Sequence, residues 1–257
     1  MLDFSRYKRF FAFGCSFTNY IWPTWADVIA KEMATAEYNN FGICGSGNET
    51  ILCRIVEADK RFCFDANDII MIMWTTMCRE DRWVGGRWKM TGNIFNQSEY
   101  DENFVNTFAD PTGYLIKNMA VMASTRQYVY STNATLFTMT AVPFDHQQNA
   151  SDQQIQRVLD LYNSENELVQ DSLFTVEMGG DWGIGHQFIK NQTLVNDYHP
   201  TPIRYYNYLS KLGFELSDDT YRYALDATNK LTNAKTELEI KELFDFSHRD
   251  HLTYQMF

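Results

Sequence analysis

One continuous apolar run, Asp-Ile-Ile-Met-Ile-Met-Trp at 68–74, constrains the fold more than any other segment of this chain. A strand that is apolar at successive positions is buried on both faces, which is typical of a parallel sheet covered by helices on each side. Other short apolar runs alternate with segments in which apolar residues recur every three or four positions, as in helices. The alternation predicts an α/β domain with a central parallel sheet between two helical layers.

The predicted elements follow one another in the order that such a sheet requires. Strands are predicted at 10–15, 38–41, 68–74 and 134–142, and helices at 25–33, 49–61, 111–130, 153–168 and from 202 onward. Residues 79–112 and 144–195 interrupt the rhythm and are predicted to be long insertions, the first of them irregular. An α/β domain of residues 1–214 is expected to carry a helical C-terminal extension, 215–257, in which Thr236 and Glu239 have capping-box spacing.

Composition and charge exclude several classes of function. A chain of 257 residues with 45% hydrophobic and 21% charged residues is long enough for one large core. The net charge of -11, without a Lys/Arg run, argues against nucleic acid as a partner. No apolar stretch approaches the roughly 20 residues of a membrane span, and the run at 10–13 is too short for a secretion signal. We therefore expect a cytoplasmic or particle-associated protein that has no membrane partner.

Metal, disulfide and nucleotide sites receive little support from the sequence. Five cysteines are an odd number and lack Cys-x-x-Cys spacing, so neither a disulfide framework nor a zinc site is indicated. His248 and His251 lie three residues apart, but two ligands do not make a metal site. The glycines at 42, 45 and 47 are spaced differently from a dinucleotide-binding turn and follow the second predicted strand. No cofactor is predicted.

Ser16 is the strongest candidate for chemistry, because it lies in Phe-Gly-Cys-Ser-Phe-Thr at 13–18, where the first strand turns into a helix. Far downstream, His199 lies in Asn-Asp-Tyr-His-Pro at 196–200. A serine hydroxyl is a weak nucleophile until an oriented imidazole removes its proton, so the two residues are predicted to be nucleophile and base. The alternatives are that Ser16 is a turn residue or helix N-cap and that His199 is a loop histidine with local partners.

The order of these motifs resembles that of the SGNH/GDSL hydrolase superfamily. The shared pattern is Gly-x-Ser after the first strand, a glycine-rich turn after the second, a polar residue after the third and a late His-Pro with a preceding Asp or Asn. The resemblance implies a flavodoxin-like three-layer α/β/α domain that hydrolyses esters, often acetyl groups on carbohydrates. It assigns Ser16 as nucleophile, His199 as base, and the backbone N–H groups of Ser16 and Gly45 as oxyanion donors.

The chain departs from the family pattern after the third strand. The family has Gly-x-Asn-Asp there, and its Asn side chain is a third oxyanion donor, whereas this chain has Trp-Thr-Thr-Met-Cys-Arg at 74–79. Thr75 or Thr76 is then the candidate donor. A strand that ends in Trp-Thr-x-x-x-Arg resembles a divergent subgroup of the family, which is found in phage genomes and in surface-polysaccharide loci. Loss of one oxyanion donor costs about 10²- to 10³-fold in turnover.

The acidic partner of His199 is also displaced. The family places it three residues before the histidine, where this chain has Asn196, whereas Asp197 lies two residues before. We predict Asp197, because only a carboxylate stabilises the imidazolium that forms when Ser16 loses its proton. Asn196 remains a candidate for orienting the ring or binding substrate.

Several side chains are candidates for substrate binding. They are a strand-end arginine and aromatic residues that can stack on sugar rings, namely Arg79, Trp74, Trp83, Trp88 and Trp182. The alternative for Arg79 is an ion pair with Glu80 or Asp81, and the alternative for the tryptophans is packing. Asp181 and His186 form a rival acid-base pair, although exposed loop residues are the stronger interpretation because no nucleophile lies beside them.

The sequence therefore predicts a serine esterase that acts on an acylated glycan or another small ester. An O-acyltransferase would use the same residues. The alternative from another class is a catalytically lapsed glycan-binding or structural module, for example of a phage particle, whose C-terminal tail contacts a second copy or a larger assembly. A catalyst should keep Ser16 and His199 within hydrogen-bonding distance, whereas a binding module need not.

Overall fold

The structure, a computed structural model, describes residues 3–95, 100–144, 152–163, 169–183 and 185–244. The strands, in chain order, are β1 (Arg9–Gly14), β2 (Glu37–Asn40), β3 (Asp68–Trp74), β4 (Arg79–Val84), β5 (Arg87–Asn93), β6 (Thr135–Thr140), β7 (Val169–Gln170), β8 (His186–Lys190) and β9 (Thr193–Asp197). The helices are α1 (Trp25–Glu32), α2 (Asn48–Phe62), α3 (Glu102–Phe108), α4 (Pro111–Ser131), α5 (Asp152–Leu161), α6 (Leu173–Val176), α7 (Pro202–Lys211), α8 (Asp218–Asn233) and α9 (Glu237–Leu243).

Five strands form a parallel sheet in the order β2-β1-β3-β6-β7. The apolar run at 68–74 is β3, which lies between β1 and β6, and all seven of its residues are buried. The order reverses beside β1, since the chain moves from β1 to β2 on one side and then to β3 on the other. In open α/β sheets, ligands bind at the carboxyl ends of the strands at such a reversal.

Helices cover both faces of the sheet, which confirms the predicted three-layer α/β fold. Successive residues of a strand point to opposite faces. Phe11 and Ile70 therefore pack with side chains of α2, α4 and α5 on one face. Phe10 and Ile69 pack with side chains of α1, α7 and α8 on the other.

The insertion predicted to be irregular at 79–112 contains regular structure. β4 and β5 form an antiparallel hairpin whose turn uses Gly85 and Gly86, with φ of 61° and 79°. Two successive positive φ values suit the right-handed twist of a two-residue hairpin, and glycine adopts them without strain. In the second insertion, the predicted helix at 153–168 appears as α5, and residues 164–168 lie outside the described part of the chain.

The C-terminal helices pack on the α/β domain. The Glu32 carboxylate accepts hydrogen bonds from Ser217 N (2.8 Å) and Thr220 Oγ1 (2.7 Å) at the start of α8. Leu231 and Ile240 are buried in a cluster with Trp22. The predicted capping box of α9 is present, because Thr236 and Glu239 exchange hydrogen bonds between side chain and backbone. The domain boundary at 214 stays a prediction.

Within the described residues, no helix has the length and apolar character needed to cross a membrane. His248 and His251 lie outside the residues that the structure describes.

Candidate active site

Ser16 lies in the tight turn that follows β1. The N–H groups of Thr18 and Asn19 both donate to the carbonyl oxygen of Cys15, at 2.9 and 3.2 Å. A Cβ atom at Gly14 would lie 2.0 Å from Thr18 Oγ1 and 2.9 Å from the carbonyl oxygen of Met73. Glycine is therefore required where the turn approaches β3, and the turn places Ser16 at the carboxyl edge of the sheet.

His199 connects Ser16 to an acidic side chain. Its Nε2 atom lies 2.8 Å from Ser16 Oγ, although the two residues are 183 positions apart. Its Nδ1 atom lies 2.7 Å from Asp197 Oδ1. Since an ionised carboxylate only accepts hydrogen bonds, Nδ1 carries the ring proton and Nε2 is free to accept the proton of the serine hydroxyl.

The two-residue spacing between Asp197 and His199 has a local structural cause. Asp197 Oδ1 accepts a hydrogen bond from the backbone N–H of His199 at 2.9 Å as well as from its ring. One oxygen atom thus fixes both the backbone and the imidazole. Asn196, the alternative three residues before His199, is exposed and its Nδ2 donates to Tyr198 Oη at 2.8 Å. The structure therefore places Asp197, and not Asn196, against the ring.

A hairpin holds this acidic side chain in place. β8 and β9 are antiparallel, and His186 lies opposite Asp197. A Cβ atom at Gly185 would lie 2.5 Å from the carbonyl oxygen of Asp197, so this position also requires glycine. His186 is not paired with Asp181, whose Oδ1 accepts from Gly183 N at 2.9 Å. Asp181 is an exposed loop residue as expected, whereas His186, expected in a loop, is a partly buried residue of β8 beside the site.

Tyr20 is part of the site and was missed by the sequence analysis. Its hydroxyl donates to Asp197 Oδ2, and its ring stacks on the His199 imidazole with centroids 3.9 Å apart and an interplanar angle of 15°. Trp22 packs edge-on against Tyr20, and its Nε1 donates to the carbonyl oxygen of Pro200 at 3.0 Å. The signal available in the sequence is the cluster of aromatic residues directly after Ser16.

The protonation states follow from these contacts. Burial alone would raise the pKa of Asp197, but hydrogen bonds from His199 and Tyr20 and the electrostatic interaction with His199 lower it below its usual value. Burial, and next the hydrogen bond to Asp197, raises the pKa of Tyr20. Asp197 is therefore an ionised acceptor at neutral pH and Tyr20 is a neutral donor.

The glycine-rich turn at 42–47 is held by the start of β4. Arg79 Nη1 donates to the carbonyl oxygen of Ser46 at 2.7 Å, and Asp81 Oδ2 accepts from Gly47 N at 2.6 Å. Gly45 has φ of 84°. Among the hydrogen bonds of the described residues, the backbone N–H groups of Ser16 and Gly45 have no acceptor, which leaves both predicted oxyanion donors available.

Two buried amides fix the segment after β3. Asn48 Oδ1 accepts from Thr75 N at 3.0 Å, and Asn48 Nδ2 donates to Asn118 Oδ1 at 2.8 Å. Asn118 Nδ2 in turn donates to the carbonyl oxygen of Met77 at 2.8 Å. The Thr76 hydroxyl is buried and has no hydrogen-bond partner among the described residues. Thr75 and Thr76 stay predicted oxyanion residues.

The candidate substrate-binding residues separate into different environments. Trp74 is 1% exposed and packs in the core with α2 and α4, which corrects its predicted role in binding. Trp83 is exposed and packs edge-to-face on Trp88 near the tip of the β4–β5 hairpin. The ring centroids of Trp182 and Phe17 are 5.4 Å apart, and those of Phe17 and His199 are 4.8 Å apart.

Arg79 shows why a strand-end arginine is ambiguous in sequence. Its side chain supports the glycine-rich turn, as described above, and Glu80 pairs with Arg82 at 2.8 Å and with Lys117 at 3.4 Å. Binding of an anionic substrate by Arg79 stays a prediction.

A small cavity adjoins His199. It has a volume of about 150 Å³ and its lining includes Trp182, His186, Tyr198 and Arg204. A larger cavity of about 500 Å³, lined by Phe4 and Glu32 among others, contains none of the residues of the candidate site.

No family model matches the chain, and a search of curated proteins gives no match. Similar solved structures include a member of the lipolytic G-D-S-L family from Veillonella parvula, with 15% identity, 86% of this chain and 98% of that chain covered, and a TM-score of 0.44. A GDSL-like lipase from Bacteroides thetaiotaomicron has 15% identity, covers 92% and 89%, and has a TM-score of 0.36. The psychrotrophic esterase EstA from a Pseudoalteromonas species has 9% identity, covers 80% and 97%, and has a TM-score of 0.46.

Proposed function

We propose that this chain is a serine ester hydrolase of the SGNH type and that it removes acyl groups from a carbohydrate. One observation carries the proposal, the continuous array in which Ser16 Oγ, His199 Nε2, His199 Nδ1 and Asp197 Oδ1 are joined at 2.8 and 2.7 Å. These distances are those that proton transfer from a nucleophile to a base requires.

In the proposed reaction, Ser16 Oγ attacks the ester carbonyl carbon while its proton passes to His199 Nε2. Asp197 stabilises the resulting imidazolium, and the N–H groups of Ser16 and Gly45, with the hydroxyl of Thr75 or Thr76, donate to the oxyanion. The bond between the carbonyl carbon and the alcohol oxygen then breaks, and the alcohol leaves with the proton from His199. Water next gives a proton to His199 and attacks the acyl-enzyme, which releases the acid and restores Ser16.

The carbohydrate substrate is proposed from the resemblance and from the aromatic side chains beside His199. Phe17 and Trp182 form adjacent ring faces next to the imidazole. Such faces suit the apolar side of a sugar ring, and an O-acylated glycan presents an ester with such a ring attached. If a sugar hydroxyl in place of water attacks the acyl-enzyme, the same residues perform acyl transfer.

The test is labelling with a fluorophosphonate, which reacts with activated serines. We expect one adduct on the wild-type protein, located at Ser16 by peptide mapping and absent from Ser16→Ala and His199→Ala. Ser131→Ala, which changes an exposed serine at the end of α4, is the matched control and should be labelled like the wild type. Folded wild-type protein that forms no adduct would overturn the hydrolase and favour the lapsed glycan-binding module.

A further inference from the structure

An arginine without a carboxylate partner lies in the cavity beside His199. Arg204 is in the first turn of α7 and lines the cavity of about 150 Å³. Its Nη1 contacts Met178 Sδ at 2.9 Å, and with the described residues it forms no salt bridge. A guanidinium has five N–H donors in a planar fork, so most of its hydrogen-bonding capacity remains open.

Some partly buried arginines of the chain pair with a carboxylate, whereas Arg204 does not. Arg9, for example, donates to both oxygen atoms of Asp68 at 2.7 Å. A partly desolvated guanidinium without an anion loses hydration without a compensating interaction. In a chain with a net charge of -11, carboxylates are abundant, yet the described structure places none against Arg204. A carboxylate on a ligand would satisfy this group.

The rest of the cavity suits a polar ring that carries such a carboxylate. Trp182 supplies an aromatic face, and Tyr198 supplies a hydroxyl. The Nε2 atom of His186 is buried and has no hydrogen-bond partner among the described residues. Burial lowers the pKa of His186, so at neutral pH the ring is an uncharged partner for a sugar hydroxyl.

The start of α7 adds to the preference for an anion. Thr201 is the N-cap and Pro202 is the first helical residue, and Thr201 and Arg204 both line the cavity. The positive end of the helix dipole therefore faces the same space as the guanidinium.

We propose that this cavity binds the carboxylate of an acidic sugar, so that the preferred substrate is an O-acylated glycan containing uronic or other carboxylated sugars. The inference rests on the proposed hydrolysis at Ser16 and specifies its substrate. Because His199 lines the cavity and also contacts Ser16, a sugar held by Arg204 has its esterified hydroxyls next to the nucleophile.

The test compares two substrates that differ in one carboxylate, acetylated methyl glucuronide and acetylated methyl glucoside. The ratio of their kcat/KM values should favour the glucuronide in the wild type by about 10- to 100-fold, the contribution of a charge-assisted pair. Arg204→Gln should abolish the preference, mainly through KM, and Arg204→Lys should keep part of it. The matched control is Arg222→Gln, an exposed arginine of α8 paired with Asp219, which should retain the wild-type ratio.

A binding measurement separates this inference from the proposed hydrolysis. Calorimetric titration with unacetylated methyl glucuronide should give binding to the wild type that added salt weakens and Arg204→Gln removes. Hydrolysis of both sugars with equal kcat/KM would overturn the acidic-sugar site and leave the esterase intact. Binding that depends on Arg204 without hydrolysis of either sugar or of p-nitrophenyl acetate would overturn the esterase and leave the site. Absence of both the preference and the binding overturns the inference whether or not the esters are cleaved.

Discussion

Replacing Asp197 with Asn removes the charge that faces His199 and keeps the size of the side chain. The two side chains are only 9% and 20% exposed, so solvent screens them weakly. Opposite unit charges 2.7 Å apart attract each other by about 6 kcal/mol at an effective dielectric constant of about 20. The amide retains part of this interaction as a dipole, so about 4–5.5 kcal/mol of transition-state stabilisation should be lost, or roughly 10³- to 10⁴-fold in kcat.

The assay is hydrolysis of p-nitrophenyl acetate under saturating and limiting substrate, with circular dichroism to establish that the variant is folded. The informative control exchanges the two neighbours, Asn196→Asp with Asp197→Asn. This double variant should remain as slow as Asp197→Asn, because the side chain at 196 contacts the Tyr198 hydroxyl and not the imidazole. Asn196→Asp alone should stay within about threefold of the wild type, as for other exposed substitutions.

Two results would refute this reasoning. Asp197→Asn that keeps more than about a tenth of the wild-type kcat would mean that less than about 1.4 kcal/mol depends on the carboxylate. Recovery of activity by the exchanged variant would mean that the side chain at 196 reaches His199 and that the position of the acid is not fixed by the turn.

Three further predictions concern the surroundings of the site. Tyr20→Phe removes the hydroxyl that donates to Asp197 and should lower the free energy of unfolding at pH 7 by about 1–2 kcal/mol in urea titrations. Because folding lowers the pKa of Asp197, its carboxylate stabilises the fold above the unfolded value near 3.8, and this contribution disappears as the pH falls through the folded value. Asn48→Ala leaves the buried N–H of Thr75 without an acceptor and should cost about 1–3 kcal/mol in thermal unfolding, with slower ester hydrolysis. Trp74→Ala creates a cavity in the core and should cost about 3–5 kcal/mol in urea unfolding.

A specific result would contradict each of these three predictions. A stability difference for Tyr20→Phe that stays constant down to pH 2 would show that the hydroxyl does not act through the Asp197 carboxylate. If Asn48→Ala keeps the wild-type activity, the Asn48 amide is not needed to position Thr75 and Thr76 for catalysis. A loss of less than about 1 kcal/mol for Trp74→Ala would place the indole at the surface and restore it as a substrate-binding candidate.

The sheet could be predicted because its signals are local. Residues 69–74 are all apolar because β3 has a helical layer on each face. Burial on both faces can therefore be recognised from the residue types of the strand alone. The position of Ser16 was predictable for a related reason, because a glycine and a serine directly after such a strand mark the turn at the carboxyl edge.

The two hairpins could not be predicted because their stability comes from distant partners. β4 has the polar sequence Arg-Glu-Asp-Arg-Trp-Val, and its buried Glu80 accepts a hydrogen bond from Tyr114 of α4 at 2.7 Å. The β8–β9 turn has Asn191 and Gln192 at positive φ, 49° and 65°, and the second residue lacks the usual glycine signal. Tyr20 and Arg204 were missed for the same reason, since their neighbours come from remote parts of the chain.

The contact between the C-terminal segment and β8 has a consequence for protein synthesis. The N–H of Ile189 donates to the carbonyl oxygen of Lys235 at 2.8 Å, and Ile240 packs with Trp22 in the cluster beneath the hairpin that carries Asp197. On the ribosome, the last strand of the five-stranded sheet emerges with residue 170, but α7 and α8, which cover one face of the sheet, follow only up to residue 233. Since a domain folds as a unit, we expect the sheet to be completed only when these helices are available. The acid and base receive their full support only when residues 235–240 have followed. The nascent chain is therefore expected to complete its fold and to become reactive at nearly the same point of its synthesis.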